Sequence, residues 1–315
     1  MRRWRTSWLR KAVTWSHVTT MDSVVDSVVD HIVEHLDPNP SPPLFVAIQG
    51  PQGSGKSYLS AQLKERLSQP PYSLNVALLS IDDLYLPHDG LVALATQQPQ
   101  NSLWAGRGQP GTHDVKLGLE VLRNLRSQSQ GVELPSFDKS LFNGEGDRVP
   151  SGVVINPPVD VVILEGWCVG FFPISEEELL KRWDGVWREE SARLGLPDVT
   201  TKDDLRRVNE KLEHYLEMWA HFDIFVQLKP APVQTFPSQY SIIYRWRLEQ
   251  EHYMKSTNGG RGMSDEAVKA FVDRYMPGYV FFGDIPPFSF EPQWAGKGIK
   301  LLIDEERRQL GVERF

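Results

Sequence analysis

The most chemically specific stretch of the chain is Gly50-Pro51-Gln52-Gly53-Ser54-Gly55-Lys56-Ser57, which has the form G-x-x-x-x-G-K-[ST]. Glycines at such spacing let consecutive backbone N–H groups close on phosphate oxygens where a side chain would block the approach. Lys56 supplies a point charge for the β- and γ-phosphates, and Ser57 offers a hydroxyl to Mg²⁺. The flanks suit that task. Leu44 to Gln49 is a continuous apolar run that reads as a buried strand, and Leu59, Leu63 and Leu67 set a helical pattern just beyond the glycines. A helix starting near Lys56 aims its positive end at the anion. The spacing predicts a nucleoside triphosphate site contacted by Gly50, Gln52, Gly53, Ser54, Gly55, Lys56, Ser57 and Tyr58.

What happens to the γ-phosphate must be decided at the other strand ends. Ser80-Ile81-Asp82-Asp83-Leu84-Tyr85 closes a second apolar run, Asn75 to Ile81. In a parallel α/β sheet the carboxyl ends of strands face the ligand crevice. A carboxylate there either takes the proton of an acceptor hydroxyl or simply caps a turn. A third run, Val159 to Leu164, ends on Glu165-Gly166, where this kind of fold keeps its metal-side carboxylate. The guanine-reading Asn-Lys-x-Asp and the transporter sequence Leu-Ser-Gly-Gly-Gln are both absent.

These residues need a scaffold, and the chain alternates strands with helices. A fourth strand is expected over Phe222–Leu228 and a last one over Tyr279–Phe282, with helices over 115–125, 238–256 and 264–276. Ser175 with Glu178, and Thr201 with Asp204, resemble capping boxes that open two long helical stretches. Residues 86–112 and 131–158 are rich in Pro and Gly without periodicity, the kind of long loop that carries function. The expected fold is α/β, a parallel sheet of about five strands with helices on both faces. Residues 1–43 read as an extension comprising a basic start, an amphipathic helix over 21–36 and a proline-rich linker; 44–315 reads as one domain with a helical insertion near 175–220.

Composition sets the boundaries. Of 315 residues, 34 are Lys or Arg and 41 Asp or Glu, and the net charge of -7 argues against a polyanionic partner such as nucleic acid. The single cysteine, Cys168, excludes an internal disulfide framework and fits a reducing compartment. No apolar run approaches the roughly 20 residues of a membrane span. A cytoplasmic location is expected, but Arg2, Arg3, Arg5, Arg10 and Lys11 stand in an acid-free start that reads either as an organellar transit peptide or as a solvated extension. His31-Ile32-Val33-Glu34-His35 matches a metalloprotease pattern but sits at the edge of an apolar stripe, and is expected to be a solvated helix edge. Cys168 lacks a neighbouring His and reads as a small buried residue, and the ten tryptophans read as packing.

The P-loop, Ser80-x-Asp82-Asp83-x-Tyr85 and Leu164-Glu165-Gly166 together resemble the P-loop small-molecule kinases that include phosphoribulokinase, uridine kinase and bacterial pantothenate kinase. Gly106-Arg107-Gly108-Gln109-Pro110-Gly111-Thr112-His113-Asp114, Pro135-Ser136-Phe137-Asp138-Lys139-Ser140 and Gly144-Glu145-Gly146-Asp147-Arg148 are similar to segments of plant and fungal D-glycerate 3-kinases. The resemblance runs from about residue 44 onward. It implies ATP and Mg²⁺ as cofactors, Asp82 as general base, and Ser57 with Glu165 at the metal. An acceptor carrying a carboxylate needs fixed cations and hydroxyl partners, for which Tyr85, Arg107, His113, Lys139 and Arg148 are the candidates. A lid is implied over about 238–262, with Arg245 or Arg247 covering the transferred phosphoryl group and the other paired with Glu249 or Glu251. The reaction implied is phosphorylation of D-glycerate to 3-phosphoglycerate. Another small acceptor, nucleoside or pantothenate-like, and a non-catalytic ATP-binding module are the alternatives.

Overall fold

A computed structural model describes residues 21–37, 42–232, 237–257, 259–260, 262–285 and 292–315. The basic start through Arg10 and Lys11, most of the proline linker, and Arg261 lie outside them.

Six strands form the main sheet. β1 (Leu44–Gln49) lies between β7 (Val161–Gly166) and β8 (Ile224–Pro230), β2 (Val76–Ser80) flanks β7, and β9 (Gly298–Ile303) flanks β8. All these neighbours are parallel, and β10 (Gln309–Arg314) adds an antiparallel edge. Every residue of β7 and all but the first of β1 are buried, as strands covered on both faces must be. Two small ribbons lie outside the sheet: β3 (Val132–Leu134) with β6 (Val153–Ile155), and β4 (Phe137–Asp138) with β5 (Asp147–Arg148).

The helices are α1 (Asp22–Glu34), α2 (Lys56–Ser68), α3 (His88–Gln97), α4 (Val115–Ser127), α5 (Glu176–Arg182), α6 (Arg188–Leu194), α7 (Lys202–Leu212), α8 (Leu216–Trp219), α9 (Ser241–Thr257), α10 (Asp265–Asp273) and α11 (Met276–Phe282). A π-helical turn, Trp183–Trp187, joins α5 to α6. Thr201 and Asp204 form the full reciprocal capping box expected of them. At Ser175 only half forms: its hydroxyl accepts the Glu178 N–H at 3.2 Å, while the Glu178 carboxylate turns to Arg182 at 2.7 Å.

Four expectations change. Tyr279–Phe282 belongs to α11, because a short buried apolar run has no period to tell strand from helix. The fifth and sixth strands come instead from 298–314. Within the supposedly structureless 86–112, residues 88–97 form α3, a short helix that buries only Leu91 and so leaves no stripe to read. Finally, α1 is no appendage. Val24, Val25, Val28, Val29 and Ile32 lie in the same core as the sheet, so the apolar core continues across residue 43. His31 is buried, not solvated: its Nε2 pairs with the Lys297 carbonyl at 3.1 Å, and the His35 Nδ1 with the His31 carbonyl at 2.8 Å. Ser27 bonds Gln309 at 3.0 Å and Glu34 takes Arg314 at 2.8 Å, so α1 is fastened to the β9–β10 hairpin.

Candidate active site

Parallel pairing in register brings the carboxyl ends of β1, β7 and β2 to one edge. The P-loop leaves β1 there, Glu165 ends β7, and Asp82 sits in a short 3₁₀ turn, Ile81–Leu84, that follows β2. The Ser80 hydroxyl accepts the Asp82 N–H at 3.3 Å and fixes that turn.

At the phosphate end the backbone does the shaping. Gly55, with φ of 91°, precedes α2, and no side chain caps the first turn, so its amides stay open to an anion. Gly53 has φ of 70°, and a Cβ there would lie 2.6 Å from the Cβ of Trp246 on α9. The loop is pinned from outside: the Gln52 N–H donates to the Tyr279 hydroxyl at 3.0 Å, and Arg307 Nε donates to the Gly53 carbonyl at 2.7 Å. Lys56 is buried, its Nζ donating to the Pro51 carbonyl at 2.9 Å; burial lowers its pKa while Glu165 and Asp82 oppose the drop. The Ser57 hydroxyl bonds Glu165 Oε1 at 3.1 Å. A hydroxyl and a carboxylate are hard oxygen donors, the set that suits Mg²⁺ completed by phosphate oxygens and water. The Ser54 hydroxyl is buried without a partner among the described residues. Tyr58 points elsewhere, half-buried against the core.

The acceptor end is built from side chains. Asp82 receives the Tyr85 hydroxyl at 2.8 Å and the Lys139 ammonium. Burial pushes its pKa up, but Lys139 and the Tyr85 hydrogen bond outweigh that and hold it at about 2. Tyr85 stacks on His113 at 4.7 Å, and His113 Nδ1 pairs with the Tyr215 hydroxyl at 2.8 Å, leaving Nε2 buried without a partner among the described residues. Burial lowers the His113 pKa to about 4, so the ring is neutral at ordinary pH. Arg148 donates to the Tyr85 carbonyl at 2.8 Å and to Asp114 at 3.2 Å. Arg107 donates to the Gly144 and Glu145 carbonyls and faces the Phe137 ring. Asp83 is structural in part: its carboxylate accepts the Phe137 N–H at 3.1 Å, and burial raises its pKa to about 6.

Side chains from outside these loops hold this end in place. Tyr215, between α7 and α8, bonds both His113 and the Gly111 N–H, and Trp167 donates to the Gly108 carbonyl at 2.9 Å. Gly108, with φ of 135°, passes so close to Tyr275 that a Cβ would fall 2.0 Å from the hydroxyl.

The paired arginines depart from expectation. Arg245 spreads over Glu249, Glu305 and Glu306, and Arg247 is buried against Glu251 at 2.7 Å. Both guanidinium groups are held by carboxylates, because the (i, i+4) spacing supplies each with its own acid. Arg307 reaches the P-loop instead, over the Trp246 ring and 3.0 Å from Glu249. It carries φ of 66° in the β9–β10 turn, where no linear pattern distinguishes it from a surface charge.

This geometry can be set beside known proteins. No family model matches the chain. The "Probable ATP-dependent kinase TDA10" of Saccharomyces cerevisiae is 40% identical over 247 residues, covering 76% of this chain and 78% of that protein. The structure of a D-glycerate 3-kinase from Cryptococcus neoformans superposes with a TM-score of 0.82 at 36% identity, over 93% of this chain and 99% of that one. The chain belongs to the D-glycerate 3-kinase family of P-loop kinases. The chloroplastic D-glycerate 3-kinase of Arabidopsis thaliana is a more distant member at 32% identity, over 85% of this chain and 54% of the plant protein. As a member, the chain is an ATP-dependent small-molecule kinase, and among the described residues no helix is long and apolar enough to cross a membrane.

Proposed function

We propose that the chain transfers the γ-phosphoryl group of ATP to a hydroxyl of a small anionic acceptor, D-glycerate, giving 3-phosphoglycerate. The observation that carries this reading is the setting of Asp82: an ionised carboxylate at the strand-end edge shared with the P-loop, with Lys139 against it and Arg148 anchored to its neighbour Tyr85. Two relatives named as D-glycerate 3-kinases support the choice of acceptor.

In this scheme the P-loop amides, Lys56 and the Ser54 hydroxyl hold the triphosphate, with Gly50, Gln52, Gly53 and Gly55 shaping the cradle. Ser57 and Glu165 would hold Mg²⁺, which when bound neutralises charge between the β- and γ-phosphates. Asp82 accepts the acceptor's hydroxyl proton as its oxygen bonds to the γ-phosphorus. The bond to the β–γ bridging oxygen breaks and ADP leaves. Tyr85, Lys139 and His113 Nε2 supply donors or a lone pair to the acceptor, while Arg107 and Arg148 brace the loops around it. Arg245 and Arg247 stiffen α9 in the conformation seen here. Catalysis is then mainly positioning and electrostatics.

The test is ADP release from purified full-length chain with Mg-ATP, screened over D-glycerate, uridine, pantothenate and sugar acids. Release with D-glycerate supports the reading. Release only with another acceptor replaces the substrate, and ATP binding without acceptor-dependent release would leave an ATP-binding module.

A further inference from the structure

Lys139 does not wait in solvent for a substrate; it already holds the base. Its Nζ contacts Asp82 Oδ2 while the Tyr85 hydroxyl donates to Oδ1, so each carboxylate oxygen already accepts a hydrogen bond and the base is ion-paired. The remaining neighbours do not release it. Tyr85 and His113 are buried and stacked, and Lys56 is committed to the Pro51 carbonyl. Lys139 is different: its side chain is 52% exposed and it stands in the loop joining β4 to β5, outside the main sheet. Of the two groups on Asp82, only the lysine can swing away without disturbing the core.

We propose that Lys139 is a specificity-determining cap on Asp82, moved from the base to the acceptor's own carboxylate when an anionic acceptor binds. This rests on the assignment of an anionic acceptor and deepens it. A flexible ammonium exchanges one carboxylate partner for another with little net change in charge pairing. A neutral molecule offers no such exchange, so it meets a base still ion-paired to Lys139 and weakened as a proton acceptor by that pair. Water is the neutral molecule that matters most. With Lys139 in place, Asp82 is kept from accepting a water proton, and attack of that oxygen on the γ-phosphorus to give ADP and inorganic phosphate is suppressed. The cap would therefore do two things at once: select acceptors by charge and guard ATP between turnovers.

The experiment compares the full-length protein with Lys139→Met, Lys139→Arg and the double variant Lys139→Met/Asp82→Asn. Three rates are read with Mg-ATP: phosphate release with no acceptor, ADP release with D-glycerate, and ADP release with its uncharged methyl ester. In Lys139→Met, acceptor-free hydrolysis should rise about 10-fold, and the double variant should return to the original rate. The preference for D-glycerate over the ester should fall roughly 10- to 100-fold, the range of one charge-assisted hydrogen bond. Lys139→Arg, which keeps the positive charge, should recover most of the suppression and most of the preference lost in Lys139→Met, which a loss of folding would not allow. Unchanged hydrolysis in Lys139→Met overturns the cap, even if D-glycerate is the substrate. Conversely, Asp82-dependent hydrolysis that rises in a protein inert toward D-glycerate keeps the cap and removes the proposed acceptor.

Discussion

The phosphate end and the acceptor end of this site lie at the same sheet edge but are made in opposite ways. The first is a single run, residues 50–57, in which backbone amides and glycine geometry do most of the recognition. The second draws Asp82, Tyr85, His113, Lys139 and Arg148 from four separate segments and relies on side chains. Backbone recognition suits a ligand part common to many reactions. Side-chain recognition can be altered one loop at a time, and in the proposed scheme it is where the choice of acceptor resides. Loss of a phosphate-end residue should therefore abolish nucleotide binding, whereas loss at the other end should spare it.

The largest effect is expected from Lys56→Ala, which removes the buried ammonium. ATP affinity should fall at least 100-fold by calorimetry and phosphotransfer should vanish with it. Asp82→Asn should divide the two ends cleanly. Turnover should fall about 10³- to 10⁴-fold, while ATP affinity stays within about 2-fold; parallel loss of both would erase the distinction. Gly108→Ala inserts a methyl group into the Tyr275 hydroxyl at a left-handed backbone position. It should cost roughly 1–3 kcal/mol in denaturant unfolding and raise the KM of the acceptor more than that of ATP.

The smallest effect is one of pH. His113 and His31 are both buried, with pKa values lowered to about 4 from 6.5 chiefly by burial. A folded-state pKa below the unfolded one means that the neutral ring stabilises the fold fully above about pH 6.5. That contribution is lost as pH falls toward 4. The melting temperature should drop over this window, and His31→Phe should flatten part of the drop if the ring is accommodated. Near pH 7 the Asp82 carboxylate, at about 2, is already ionised, so its own titration should not shape activity there.

The same contrast explains what could be read in the sequence. The P-loop was legible because its residues are contiguous and its physics is local. Asp82 and Glu165 were legible because a strand end is a place, and places follow from hydrophobic runs. Arg307 was not: it lies 254 residues from Gly53, and only the hairpin geometry carries it there. Tyr215 and Tyr279 were hidden for a similar reason, as buried tyrosines read as packing until the hydroxyl is seen on a loop amide. Arg245 and Arg247 drew attention by position, and the acids at Glu249 and Glu251 that claim them stood in the same helix. A net charge of -7 likewise argues against a polyanion without locating the few cations proposed to meet phosphate.

The clasp between α1 and the last hairpin has a consequence for biosynthesis. Helix α1 emerges first from the ribosome among the described elements, yet its partners Lys297, Gln309 and Arg314 emerge last, and Arg307 steadies the P-loop from that same late segment. The polar side chains Ser27, His31 and Glu34 must then stay without these partners through nearly the whole of translation, although α2, against which α1 also packs, emerges early. We expect stalled nascent chains ending before residue 297 to retain ATP poorly, and release of the full chain to restore it; equal retention by both would show that the nucleotide site matures without its C-terminal brace.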